Sequence, residues 1–144
     1  MTIFTDIALM YDKYGFNESI EKMDFDTKLD LLDFRIDLLK EELNETELAT
    51  GYGGLEFNAD EVVDGLIDLI VVAAGTLDHF GVDSQKAWDA VHKANNSKEV
   101  GIKEGRPNPL GLPDLTKPEG WVGPSHLDNL GLFKEMETKS NKRV

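Results

Sequence analysis

Between Phe25 and Ala49 the apolar residues recur every three or four positions, and near the end of that run the chain supplies glutamate where its own pattern calls for leucine. A helix turns about 100° per residue, so Phe25, Leu29, Leu32, Ile36, Leu39 and Leu43 lie along one side of it. A second stripe, Leu31, Phe34 and Leu38, continues by steps of three or four to Glu41 and Glu42, then Glu45, then Ala49. A carboxylate in a core position is costly unless it is paired, so this helix needs something beside its acids. The next apolar run repeats the anomaly. Glu61, Asp64 and Asp68 are spaced three and four apart and share a face that continues as Val71, Val72 and Gly75, while nearly everything else from Val62 to Ala74 is apolar. A helix apolar on most sides belongs inside a bundle, which places these acids on the most interior element.

Like charges on adjacent turns repel, and repulsion plus desolvation drives protons onto some of them. A divalent cation removes both penalties. Mg²⁺, with Mn²⁺ as the alternative, takes hard oxygen ligands, usually one or two carboxylates plus water and substrate phosphate. Two facing helices, each with acids one turn apart, can hold one or two such ions, which can then polarise a phosphoryl group and activate a water. The competing reading is a solvated acidic face, because closely spaced acids are common on exposed helices. Asp68 has its own alternative, a hydrogen bond to a core Tyr or Lys. Two clusters on successive helices, both inside apolar stripes, favour the metal site.

The pattern predicts an all-α fold, an antiparallel bundle of four to five helices with a long Pro/Gly-rich C-terminal arm, in a single domain spanning residues 1–144. A short first helix carries Ile3, Phe4, Ile7, Ala8, Tyr11 and Tyr14 and ends at Gly15. The second runs from Asp24 or Phe25 to Ala49, before the turn "GYGG". The third starts after Asn58 or Asp60 and is stopped at Phe80–Gly81; the fourth opens at Asp83 or Ser84. The core ends near residue 98, and an irregular arm from 99 to 125 follows, with no strand pair expected in it. All five prolines fall there or at its edge, and so long an unstructured stretch is either functional or disordered. A C-terminal helix is expected at Leu127–Met136, then a frayed "KSNKRV".

Charge is unevenly spread: residues 1–80 carry 5 Lys/Arg against 19 Asp/Glu, residues 81–144 carry 10 against 9, and the whole chain is at −13. That balance disfavours duplex nucleic acid, whose binding rests on neutralising phosphates, and suits cations. The absence of cysteine rules out disulfides and thiolate metal sites and fits a reducing cytoplasm. Val62–Leu77, the longest apolar stretch, is broken by Asp64 and Asp68, so neither a leader nor a membrane span is expected.

"EELNE" at 41–45 followed by "EVVD" at 61–64 resembles the E-E-x-x-E … E-x-x-D signature of the MazG-like all-α nucleotide pyrophosphohydrolases, a superfamily that includes phosphoribosyl-ATP pyrophosphohydrolase. "DGLIDLIVVAAGTLDHFGV" (64–82), "AVHKANNSK" (90–98) and "LTKPEGWVGPS" (115–125) extend the resemblance to the phage and bacterial phosphoribosyl-ATP-pyrophosphohydrolase-like branch. The resemblance implies hydrolysis of a nucleoside triphosphate or related nucleotide between the α and β phosphates. It makes Glu42, Glu45, Glu61 and Asp64 the metal ligands and gives Glu41 a supporting or water-positioning role; Asp68 is a further candidate from its helical spacing alone. It makes Asn95 and Lys98 contacts to substrate, with Lys93 as a helper; Lys117 and Trp121 are further substrate-binding candidates that the resemblance itself does not assign. The Lys/Arg-rich helix of fuller MazG proteins has no counterpart here.

Read without the resemblance, Lys98 can equally cap the free carbonyls of a helix end. Trp121 is either a core plug or a platform for a base, and Trp88, in helical register with Val91, is a core or subunit-interface residue. Asp89-x-x-His92 mimics half of a di-iron motif whose partner is missing, and His79 and His126 add no pattern. Two long helices make a thin core for these apolar faces, so a homo-oligomer, dimer or tetramer, is expected. Two other classes compete with the enzyme: a non-catalytic cation- or nucleotide-binding bundle, and a helical interaction module.

Overall fold

The computed structural model describes residues 1–142. Six α-helices and one strand pair follow in order: α1 Ile3–Lys13, α2 Phe16–Glu21, α3 Phe25–Ala49, a 3₁₀ turn at Tyr52–Gly54, α4 Ala59–His79, α5 Ser84–Asn96, β1 Glu99–Gly101, β2 Asp114–Thr116 and α6 Phe133–Lys142. The fold class is all-α, as the periodicity predicts. No single described helix is long and apolar enough to cross a membrane. The chain divides into two compact units, Met1–Ser84 together with the segment from Leu130, and Gln85–Asn129.

In the first unit α3 and α4 form the most extensive pairing, and α1 packs on α4. The long helices begin where their caps dictate. Asp24 Oδ1 accepts from the Thr27 amide at 2.8 Å, and the Thr27 side chain, then this amide, holds the Asp24 carboxyl below its usual range. Asn58 Oδ1 accepts from the Glu61 amide at 3.1 Å. Both satisfy amides that a helix start leaves open. Gly51, at φ 86°, takes the left-handed conformation that ends α3, and the Asn58 amide donates back to Ala49 O at 2.8 Å to close the connection.

The core of this unit is built around a buried cation. Arg35, buried on α3, donates from Nε to Thr76 Oγ1 at 3.0 Å, and from Nη2 to Tyr11 Oη at 3.1 Å and Val72 O at 3.0 Å. Thr76 Oγ1 in turn donates to Val72 O at 2.7 Å. Beside it Ile7, Tyr11 and Ala74 form the apolar core with Phe4 and Val71. Gly75 leaves the space that the Tyr11 ring and the Arg35 guanidinium occupy. His79, also buried, lies edge-on to Tyr11 and stacks on Phe16 at 5.2 Å. Burial, and secondarily the charge of Arg35, lowers its pKa to about 4, so it is a neutral aromatic filler at pH 7.

Four sequence expectations need correction. First, α2 is a separate helix, set off by Gly15 at φ 77°. Second, the arm at 99–125 contains an antiparallel pair, with Glu99 opposite Thr116, Val100 opposite Leu115 and Gly101 opposite Asp114. Strands of three residues are too short to show alternation, and a side chain at position 101 would collide with Thr116, so glycine permits the pairing. Third, the last helix starts at Phe133 rather than Leu127. Leu132 N donates to Phe80 O at 2.7 Å and Gly131, at φ 52°, sits against Phe80 and Gly81 with no room for a side chain, so the chain turns here before it can coil. Phe133 then stacks on Phe80 at 4.8 Å. The helix takes in most of the "KSNKRV" expected to fray; Arg143 and Val144 lie outside the described residues.

Fourth, α4 is less interior than its composition implies. Val63, Leu66 and Ile67, like Phe34 and Leu43 on α3, keep more than half of their surface exposed. Burial on α4 is confined to Ala74, Gly75, Thr76 and His79 near its C-terminal end, where Tyr11 and Phe16 of α1 and α2 also pack.

Toward the other end, the spacing of α3 and α4 is set by Gly65. A Cβ there would collide with Thr46 Oγ1 and Cβ. Thr46 is itself fixed, buried and donating from Oγ1 to Glu42 O at 2.7 Å. Gly65→Ala should therefore destabilise the protein by about 1–3 kcal/mol, the usual range for overpacking, despite the better helix propensity of alanine. Adding Thr46→Ala should recover at least half of that loss in a chemical-denaturation cycle. A Gly65→Ala protein as stable as the wild type would show that the helix spacing is set elsewhere.

Candidate functional site

The connection from α3 to α4 and the facing turns of the two helices enclose an open cleft of about 740 Å³. Glu42, Glu45, Thr46, Leu48 and Ala49 line it from α3, Leu55 to Asn58 from the connection, and Ala59, Glu61, Asp64, Gly65 and Asp68 from α4. Each acid arrives by a local cause. The Asn58 cap places Glu61 in the first turn of α4, Asp64 and Asp68 follow on the same face by helical spacing, and the close approach at Gly65 brings that face toward Glu42 and Glu45.

Six carboxylates line the cleft, Glu42, Glu45, Glu56, Glu61, Asp64 and Asp68, and among the described residues no Lys, Arg or His does. Glu45, Glu61 and Asp64 are exposed, while Glu42 and Asp68 are half-buried. The Glu42 carboxyl is pushed up from its usual range by its burial, then by the charges of Asp68, Glu45, Glu41 and Asp64. The two acid clusters therefore act on each other electrostatically across the helix pair. They share the cleft without converging: among the described residues no group of three or more His, Cys, Asp or Glu side chains stands close enough together to hold a metal ion. The donor set nonetheless fits a hard divalent cation, being all oxygen and free of competing bases.

Five of the sequence candidates, Glu42, Glu45, Glu61, Asp64 and Asp68, are thus brought together in one cleft. Glu41 is exposed and lies outside its lining, although its charge reaches Glu42. Sequence reasoning missed Glu56, Leu48, Leu55 and Phe57, which line the apolar side and the connection. Only the cap spacing from Asn58 to Glu61 signals from sequence where the connection ends.

The remaining candidates belong to the second unit. Lys93 and Asn95 are exposed in the last turn of α5, and Asn95 O accepts from the Lys98 amide at 3.2 Å. Trp121 is half-buried. Its Nε1 donates to Ala94 O at 3.1 Å and to Ser97 Oγ at 2.8 Å, which ties the Pro/Gly-rich segment to the end of α5. Lys98 and Lys117 each place Nζ over the Trp121 ring, at 5.5 and 5.1 Å from its centroid.

No curated protein and no solved structure matches the chain. The family model described as phosphoribosyl-ATP pyrophosphohydrolase matches residues 16–95, a span that contains α2, α3, α4 and every carboxylate of the cleft. Because that match takes in more than half of the sequence, the chain belongs to the phosphoribosyl-ATP pyrophosphohydrolase family, within the MazG-like all-α nucleotide pyrophosphohydrolases.

Proposed function

We propose that this chain is a Mg²⁺-dependent nucleotide pyrophosphohydrolase that cleaves the α–β phosphoanhydride of a nucleoside triphosphate, leaving a monophosphate and pyrophosphate. The observation that carries the reading is the cleft whose lining holds six carboxylates and, among the described residues, no base, inside the segment matched by the family model. Glu42 and Glu45 from α3, with Glu61 and Asp64 from α4, would hold the cation, and Asp68 stands beside them. A bound Mg²⁺ supplies charge neutralisation and polarisation of phosphoryl oxygens. The chain's own contribution is positional. Gly65 and Thr46 fix the helix spacing, the Asn58 cap fixes Glu61, and Leu48, Leu55 and Phe57 offer an apolar wall on which the less polar part of a nucleotide can rest. The proton affinity of Glu42 is raised by its burial and then by the neighbouring carboxylates, and a bound cation would favour its ionised form. Lys93, Asn95, Lys98, Lys117 and Trp121 are the candidate substrate contacts of the second unit. The family description favours phosphoribosyl-ATP as a second substrate candidate.

A panel of nucleoside triphosphates and phosphoribosyl-ATP, each with Mg²⁺, tests the reaction. The expected products are the monophosphate and pyrophosphate, the latter detected as phosphate only after inorganic pyrophosphatase is added. A diphosphate with orthophosphate as the main products would refute cleavage between the α and β phosphates.

The same reading includes a homo-oligomer, supported by the exposed apolar side chains Phe34 and Leu43 of α3 and Val63, Leu66, Ile67 and Ile70 of α4. Exposed apolar surface on this scale marks an association site, and a second copy offers the same surface in return. Light scattering on the eluted protein should give a mass of twice the 16.1 kDa chain or a higher multiple. A strictly monomeric mass would contradict the assignment.

A further inference from the structure

The last residue of α4 shuts an imidazole into an aromatic box. His79 is 4% exposed, and among the described residues neither Nδ1 nor Nε2 has a hydrogen-bond partner. Buried polar atoms ordinarily find one, so this ring is held by its face and edges alone. Tyr11 of α1 meets it edge-on at 4.5 Å, and Phe16 of α2 lies parallel to it within 8° at 5.2 Å. Tyr11 and Phe16 also meet each other, at 4.8 Å. Three rings thus join α1, α2 and α4. With six residues, α2 is too short to persist without such packing.

Each element around the ring brings few groups that could answer a proton on it. From α1 comes the Tyr11 phenol, and from α3 the Arg35 guanidinium, whose charge repels a proton on the ring. From α2 comes Phe16, the acids Glu18 and Glu21 of that helix being exposed. On α4 itself Asp78 precedes the ring; its Oδ2 is buried and unpartnered among the described residues, and its pKa is raised by burial and then by the charge of Asp12. A proton on His79 would therefore be a second cation beside Arg35, whose own acceptors are all neutral. A buried charge without a partner is costly. Moreover, Tyr11 serves both groups, since its ring faces His79 and its hydroxyl accepts from Arg35.

We propose that His79 is an acid-sensitive latch: once protonated it releases α1 and α2 from α4, while α3 and α4 stay joined through the close contact of Gly65 with Thr46. In the closed state the ring is held neutral down to about pH 4, and once the helices part it regains the ordinary histidine range near 6.5. A group lowered on folding contributes stability that is fully present above its unfolded value and is lost as the pH falls toward the folded one. The latch is therefore closed above about pH 6.5 and loosens between there and about pH 4. It uses none of the cleft residues, so it stands without the hydrolytic reading.

Hydrogen exchange read by mass spectrometry, with every rate corrected for the intrinsic effect of pH, follows the opening segment by segment. Between pH 7.5 and 5.5 the protection of α1 and α2 in the wild type should fall about tenfold. It should stay level in His79→Phe, which keeps an aromatic ring in the box and takes no proton; Asp78 is common to both proteins and cancels in the comparison. Protection around Thr46 and Gly65 should not follow that fall. The same fall in wild type and variant, or an equal loss along α3 and α4, would overturn the proposal. Should His79→Phe fail to fold, proton NMR on the protein carrying His92→Gln and His126→Gln decides, because His79 is then its one imidazole. The ring resonances of the folded protein should stay constant down to about pH 5.5. A ring that titrates near 6.5 while α1 and α2 keep their protection would equally overturn the latch.

Discussion

A buried guanidinium with no counter-ion among the described residues is one of the costlier groups a small helical unit can carry, and the first unit of this protein is organised around one. Arg35 of α3 is held entirely by neutral acceptors: Tyr11 of α1, and Thr76 and the Val72 carbonyl of α4. Three helices are thereby tied at one point. Loss of any of those acceptors would leave part of a buried charge unsolvated, which is far more expensive than the net worth of one hydrogen bond. The glycine at 75 belongs to the same device, since it admits the Tyr11 ring and the guanidinium at once. His79, neutral beside the cation, completes the enclosure without adding a second charge.

With the pair pinned at Arg35, the separation of α3 and α4 at the opposite end falls to Gly65 and Thr46, and there the chemistry changes sign. Where the first end buries a cation among neutral groups, the second collects carboxylates, with no base among the described residues that line it. The contact of Gly65 with Thr46 holds the two helices close at the cleft itself. The result is an acidic cleft in which burial, and then the neighbouring carboxylates, raises the proton affinity of Glu42. The second unit has the opposite character, gathering two lysines on an anchored indole.

Much of this was legible in the sequence. Asp24 and Asn58 announce the starts of α3 and α4, and the spacing of Glu42, Glu45, Glu61 and Asp64 within apolar stripes marks the cleft before any coordinates are seen. Arg35 was not legible, because its partners Tyr11 and Thr76 lie 24 and 41 residues away and no local pattern links them. Leu55, Glu56 and Phe57 escaped because a connection has no periodicity to read. The placing of Lys98 and Lys117 at the Trp121 ring goes with the register of two strands of three residues each, too short for alternation to show. The start of α6 was misplaced because a hydrogen bond to Phe80 O, distant in sequence, decides where that helix can begin. Apolar patterning was read as burial within one chain, whereas on α3 and α4 it covers surface the chain leaves exposed.

The central claim is that the carboxylates of α3 and α4 form one cation site and not two solvated faces, and the response of thermal stability to Mg²⁺ in the wild type and in Glu61→Gln tests it most directly. If the acids repel one another in the absence of metal, the variant without metal should melt no lower than the wild type. Mg²⁺ at a hundredfold excess over its Kd should stabilise the wild type by about 2.7 kcal/mol and hardly shift the variant, which should also have lost hydrolysis. Equal and small responses in the two proteins, with activity retained by the variant, would contradict the claim, because independent exposed acids are screened by solvent and salt and bind no cation in common.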